Sequence, residues 1–329
     1  MRRYEMKKRY GLVGLIAALV IMLSAPLAQS ADQQFLRMFS GPEGGSWYPL
    51  GAAMMSVLEK KIPGISTSNG PGGGVGNIKA IDAKRADLGW TYTHTSYAAI
   101  KGLHPFDKKY ENVRHLMSLY PGVFQMAVRR DSSLKSPADF KDKRIVPGVT
   151  GFTGTVIAEQ VLQAYGLSFD SIKKSGGSVT FVGYADSAQL MKDGHSDVYM
   201  AVTSLPQATI LDLNFQPGIR LVGLDESHMK KLLEIEPGLM AYTVKPNTYE
   251  GYSEPVLTPA TVTQIVIGKH VSDEMAYKIV KTLYDSWPEL AQVKKKDIED
   301  SKPDQALLGN RIEVHPGALK YYKEKGYVK

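Results

Sequence analysis

A chain of 329 residues with 43% hydrophobic and 22% charged residues has the make-up of a globular protein large enough for two domains. It carries no cysteine, which excludes disulfides and a lipidated N-terminal cysteine and calls for a core that holds without staples. The formal charge of +7 falls to +3 once the five basic residues and Glu5 of the first 31 positions are removed, and the densest basic run, Lys294-Lys295-Lys296, is followed by Asp297, Glu299 and Asp300. That pattern predicts a solvated helix face and argues against nucleic acid as a partner.

The chain begins with a basic stretch, Arg2, Arg3, Lys7, Lys8 and Arg9, followed by the apolar run Gly11 to Leu23 and small residues at Ala28-Gln29-Ser30-Ala31. An apolar run this short spans a bilayer poorly, so it reads as a secretory signal peptide cleaved near 28–31, the alternative being an uncleaved anchor. The expectation is an exported, soluble, periplasmic protein.

From Gln34 the pattern alternates strand and helix, the signature of α/β architecture. A strand at 34–40 leads into the loop GPEGGSWYPLG (41–51) and a helix over 49–61, which Ile62-Pro63-Gly64 stops. A second strand at 64–68 runs into the glycine tract 70–76 and a helix over 77–84, and a third, within 86–102, ends in hydroxyls and aromatics before another helix. After Pro121-Gly122 comes a strand over 123–130, then a helix start at Ser136-Pro137.

The opening unit then recurs in outline: a strand at 143–148, the loop GVTGFTGT (148–155) and a helix over 156–166. Further strands are expected at 180–183, 197–202, 220–223 and 261–268, helices over 273–287 and near 313–326, and a proline-rich connection over 245–259. Several strand ends therefore carry glycine-rich or hydroxyl-rich loops, and open parallel sheets bind ligands at such ends.

The residues needed for catalysis are missing from these loops. The seven histidines are scattered without an i, i+4 pair, no serine lies in G-x-S-x-G, Asn77 interrupts a G-x-G-x-x-G reading of the glycine tract, and 148–155 lacks the lysine of a phosphate loop. His94 with Glu43 is the one acid–base pair to nominate. What remains is backbone N–H groups and hydroxyls at helix starts, which can hold a small carboxylate without arginine. Thr153 and Thr155 acting as helix caps, and the glycines as turn formers, is the competing reading.

The order GPEGGSWYPLGAAM, GGGVGNIKAI, ADLGW, GVTGFTGT and VHPGALKYYKEKG resembles the TAXI-type extracytoplasmic solute receptors of TRAP transporters over nearly the whole mature chain. The resemblance implies a type II periplasmic binding protein, two α/β lobes joined by a strand hinge around a ligand cleft. It also implies no enzymatic chemistry, no cofactor and no metal, with delivery of the solute to ion-gradient-driven TRAP permease subunits. The expected division is 1–31 as leader, 32–122 and 256–329 as lobe one and 123–255 as lobe two, in a monomer.

The implied ligand is a small organic anion, a mono- or dicarboxylate, with a glutamate-like or an aromatic acid both open. Matching residue by residue, the resemblance assigns ligand contacts to Gly44, Gly45, Ser46, Trp47 and Tyr48, the ring of Tyr48 closing over the solute, and to Asn77. It adds Thr91, Tyr92, Thr93 and His94 at the third strand end, Thr153, Gly154 and Thr155 from the opposing lobe, and Thr203 and Ser204 from a later strand end. Glu43 either meets an amino group or faces solvent, and Trp47 either widens the apolar surface for a bulkier acid or packs between elements. A ligand-sensing module for a membrane kinase and an exported enzyme on the same fold stay open as alternatives.

Overall fold

The computed structural model describes residues 34–328, so the expected leader lies outside the described residues. Strand β1 (Gln34–Phe39) buries Leu36 and Met38 on alternate positions, and helix α1 (Trp47–Lys61) buries Leu50, Met54, Val57 and Leu58 at helical spacing. Next come β2 (Ile65–Gly70), α2 (Gly74–Asp82), β3 (Leu88–Tyr92) and α3 (Thr93–Lys101), which Gly102 ends in a left-handed conformation. Helix α2 starts three residues ahead of the expected Asn77. The glycines of its first turn are weak helix formers, but Gly74 sits against Thr91 and Thr153, where a Cβ would come within 2.3 Å of the Thr153 hydroxyl. Tertiary packing overrides propensity here.

Strand β4 (Val113–Arg129) opens the second half, and the helix start read at Ser136 is a single 3₁₀ turn, Pro137–Phe140, closed by a Ser136/Asp139 capping box. Then follow β5 (Arg144–Val146), α4 (Thr153–Ala164), α5 (Phe169–Lys174), β6 (Ser178–Val179), α6 (Tyr184–Lys192) and β7 (Val198–Thr203). Helices α7 (Ala208–Phe215) and α8 (Glu226–Ile235) flank β8 (Ile219–Val222), and β9 (Met240–Val244) precedes the return strand β10 (Val256–Gly268). The chain ends with α9 (Asp273–Asp285), α10 (Trp287–Leu290), α11 (Lys295–Glu299) and α12 (Pro316–Glu324).

One sheet links both halves in the order β2-β1-β3-β10-β4-β7-β5-β6, with β8 added to β4 and β9 to β10. Within each half the site-forming strands are parallel, β1 with β3 and β5 with β7, whereas β4 and β10 run antiparallel to their neighbours and pass from one half to the other. Strand β10 pairs with β9 through residues 256–260 and with β3 through 263–267. This arrangement points the carboxyl ends of β1, β3, β5 and β7 toward the crossing.

Two strand boundaries differ from expectation at that crossing. Pro121-Gly122 was read as a break, yet β4 continues through it, with Pro121 opposite Val262 and a register shift just beyond. A proline is tolerated inside a sheet where the ladder is already interrupted. Strand β10 likewise begins at Val256, absorbing Pro259 from the proline-rich connection. Gly122 is needed for close approach, since a Cβ there would lie 2.2 Å from the Tyr92 ring.

Strand β6 lies just upstream of the expected 180–183, and the lysine run is only partly a solvated face. Lys295 and Lys296 are exposed and pair with Glu299 and Asp300, but Asp297 on the same helix is buried, with its carboxyl beside Ser204 and Tyr120. Burial pushes that carboxyl above its ordinary range. Among the described residues, no helix is long and apolar enough to cross a membrane.

Candidate ligand-binding cleft

The loop after β1 folds back on itself, Gly45 N–H donating to the Pro42 carbonyl (3.1 Å), and places Ser46 and Trp47 at the start of α1. Trp47 turns inward and packs on Tyr92 and Trp90, ring centroids 4.6 and 5.8 Å apart. Its indole N–H is buried without a partner. On the opposite side, the loop after β5 delivers Phe152, Thr153 and Gly154 at the start of α4, and Phe152 meets Tyr184 edge-on at 5.7 Å. Gly73 and Gly74 at the start of α2, and Val202 and Thr203 at the end of β7, complete the walls together with Pro42.

Only about 20 Å³ between these walls is roomy enough to centre a water molecule. One water needs on the order of 10–15 Å³ by that measure, so the cleft is drawn nearly shut. The two halves meet through a set of hydrogen bonds. Ser46 Oγ pairs with Thr203 Oγ1 at 3.1 Å, Tyr92 donates to the Val202 carbonyl at 3.1 Å, and Thr209 donates to the Gly44 carbonyl at 2.9 Å. Gly76 N–H reaches the Gly151 carbonyl (3.3 Å), and Thr95 and Thr153 join their hydroxyls at 3.3 Å. Each such bond contributes about 0.5–1.5 kcal/mol net, so the set stabilises closure without locking it.

The electrostatics of the walls are set by dipoles and not by side-chain charge. None of the lining residues is Asp, Glu, Lys, Arg or His. Helices α2 and α4 both begin here without a side-chain cap, so their leading N–H groups and the positive ends of their dipoles face the cleft. Burial holds the Tyr92 and Tyr184 phenols above their ordinary range, Tyr184 at about 12, so both stay neutral.

Of the residues singled out in the sequence, the cleft brings together Gly45, Ser46, Trp47, Tyr92, Thr153, Gly154 and Thr203. Tyr48 is half-buried and absent from the walls, because one step along a helix turns a side chain by about 100° away from its neighbour. Gly44 is exposed and touches the other half through its carbonyl, and Glu43 is exposed as well. Asn77 is consumed by the fold, its amide donating to the Ser40 (2.8 Å) and Trp90 (2.7 Å) carbonyls. Thr91 donates to the Gly74 carbonyl at 3.2 Å, and Thr93 is buried near Gly309. Ser204 lines a separate cavity, with Tyr120, Tyr242 and Lys245.

Thr155 has a different task from the one expected. Its hydroxyl lies 3.1 Å from the Pro147 carbonyl and 2.9 Å from that of Val149, and so staples the loop that precedes α4. It does not cap the helix in the usual way either, since Phe152 holds the cap position. Thr155→Ala is expected to lower stability by about 1 kcal/mol, read as a shift in the denaturant midpoint, with a smaller effect on binding. A large loss of affinity at unchanged stability would restore the direct contact.

His94 sits one layer behind the wall. Its Nδ1 is 2.8 Å from the Thr261 hydroxyl and its Nε2 3.3 Å from that of Thr95, which in turn meets Thr153, so it has no partnership with Glu43. Burial lowers its pKa to about 3, and that of His115, engaged by Gln264 and the Ala306 carbonyl, to about 4. Both are neutral in the fold and protonate only on unfolding below the ordinary value near 6.5. Their contribution to stability is therefore full above pH ~6.5 and is lost as pH falls toward the folded values. Denaturant midpoints measured from pH 8 to pH 4 should be level at first and then decline; a flat profile would contradict the buried neutral assignment.

Sequence reasoning missed Pro42, Gly73, Gly74, Phe152, Tyr184 and Val202. The glycine tract and the phenylalanine inside GVTGFTGT were visible as loop features, whereas nothing local marks Tyr184 or Val202.

The sequence profile of the NMT1-like family matches residues 38–326. Among solved structures, a protein assigned to L-cystine ABC transport in Listeria monocytogenes is 13% identical over 82% of this chain and 98% of its own, with a TM-score of 0.51. A periplasmic transporter is 13% identical over 92% and 95% of the two chains, with a TM-score of 0.52. At such identities the likeness speaks for the fold alone, and that fold is the two-lobed, strand-hinged one of type II periplasmic binding proteins. With its cleft built from the strand ends of both halves and the profile matched along almost its entire described length, the chain belongs to the NMT1-like family.

Proposed function

We propose that the protein is an exported receptor which closes two lobes over a small organic anion and delivers it to the membrane subunits of an ion-gradient-driven TRAP transporter. Lobe one comprises 32–122 and 256–329, lobe two comprises 123–255, and β4 and β10 are the hinge. The leader over 1–31 directs export to the periplasm and is removed near 28–31, and the receptor works as a monomer without catalysing a reaction on its solute.

One observation carries the reading: hydroxyls and backbone groups of the two halves hydrogen-bond across a cleft into which two uncapped helix starts face. Such an arrangement binds when shut and releases when open, and a ligand that contacts both halves shifts the balance toward closure. Uncapped helix starts favour negative charge. The TAXI-like order of motifs supports the choice of a TRAP permease.

The test has two parts. Calorimetric titration of the mature chain with organic anions should give saturable binding and a raised melting temperature, because a ligand specific for the folded state stabilises it. Uptake by vesicles containing the partner permease should then follow an imposed ion gradient and continue without ATP. Binding confined to cations or neutral solutes would refute the anion, and uptake that requires ATP would refute the TRAP partner.

A further inference from the structure

The polar groups around the cleft are unevenly spent, and this bears on the class of solute. The carbonyls of Gly44, Gly151 and Val202 each already take one hydrogen bond from the opposite half, and the Ser46 hydroxyl is shared with those of Thr203 and Tyr120. Donors are in surplus. The Trp47 indole N–H is buried with no partner, and the leading N–H groups at Gly74, Thr153 and Gly154 belong to helix starts without caps. A solute that fits this balance brings acceptors and few donors.

Charge narrows it further. With no carboxylate in the walls, a solute ammonium group would be buried without a counter-charge, at a cost of several kcal/mol. With no lysine, arginine or histidine in the walls, compensation for an anion comes from uncapped helix starts, those of α2 and α4 and also those of α1 and α6 at Trp47 and Tyr184, and from no full charge. A second carboxylate would meet no cationic side chain, so the walls suit a monoanion better than a dianion. The apolar part of the lining is flat: Trp47 and Tyr92 form one aromatic pair, and Phe152 and Tyr184 form another on the opposite wall.

We infer that the solute is an amine-free monocarboxylate with a planar apolar body, its single carboxylate held between the starts of α2 and α4 and the Trp47 N–H, and its flat portion between the two aromatic pairs. This rests on the receptor reading above and goes beyond it, because it removes amino acids and dicarboxylates from the class of preferred solutes. It also gives Trp47 two tasks, a wall for the body and a donor for the head. An α-amino acid of the same shape would carry its ammonium group into a region with no carboxylate to pair it.

The experiment is calorimetric titration of the mature chain at pH 7 with benzoate, cinnamate and 3-phenylpropionate, set against phenylalanine, glutamate, glutarate and neutral cinnamamide. At least one aromatic monoacid should bind about 100-fold more tightly than phenylalanine, glutamate or glutarate, and the amide should bind as weakly as they do; that ratio corresponds to about 2.7 kcal/mol. Trp47→Phe, which keeps a ring and removes the N–H, should weaken the monoacid about tenfold and spare the melting temperature. If it lowers the melting temperature instead, the preference ratios of the unaltered protein still decide. Equal or tighter binding of an amino acid, a dicarboxylate or the amide overturns the inference and leaves the receptor reading standing. Failure of every solute to bind, together with none recovered by mass spectrometry from the purified protein, overturns both.

Discussion

Replacing Gly73 by alanine is expected to hold the cleft open and to weaken solute binding roughly 10- to 100-fold while the protein stays folded. The backbone at Gly73 is extended, φ −156° and ψ 150°, which any residue adopts, so the substitution is not strained in itself. The conflict arises across the cleft, where a Cβ would stand 2.4 Å from the Phe152 ring and 2.9 Å from the Gly151 carbonyl. Both belong to the opposite half. The ring could turn, but the carbonyl is backbone and also receives the Gly76 N–H.

Overpacking of this kind costs about 1–3 kcal/mol, and separation of the halves relieves it, so the penalty falls on the closed form alone. A population shift toward the open form lowers apparent affinity by the same factor. Calorimetry should show the loss, small-angle scattering should show a larger radius of gyration, and the melting temperature of the unliganded protein should hardly move. Unchanged affinity in the variant would mean that closure through the α2 start is not part of binding.

Asn77→Ala is expected to act on stability, with a loss of about 3–4 kcal/mol. Its side chain fills three backbone valences at once, the carbonyls of Ser40 and Trp90 and the N–H of Gly73 at 3.2 Å. It thereby ties the ends of β1 and β3 to the start of α2. Alanine leaves these groups buried and unpaired, at about 1–3 kcal/mol each before relaxation. The effect should be read from the denaturant midpoint, with the dependence on denaturant unchanged. If stability survives while binding disappears, Asn77 touches the solute after all.

The contrast between these two residues shows how far the sequence could be read. Glycine runs in loops before helices were legible as sites of close backbone approach, yet which glycine faces the other half depends on contacts 70 to 80 positions away. Asn77 was assigned to the ligand by the resemblance, as an asparagine at the start of the second helix. The fold instead needed an amide to join two parallel strand ends to a loop, and buried carbonyls must be paired. The resemblance gave contacts to both Trp47 and Tyr48 and made Tyr48 the lid, whereas the phase of α1 turns Trp47 inward. Phe152 and Tyr184 became a wall only when β5 and β7 brought α4 and α6 together.

By itself, the sequence determined the alternation of strands and helices, the glycine and hydroxyl loops at strand ends, and the absence of any cysteine, because these depend on local periodicity, turn chemistry and composition. The tertiary structure alone decided that β4 and β10 run unbroken through the crossing, that Asp297 is buried, and that no charged side chain reaches the cleft wall. Those outcomes rest on pairing and burial between residues far apart in the chain. A polar residue in a loop has the same local pattern whether it meets a solute, a neighbouring carbonyl or water, and packing settles which of these it meets.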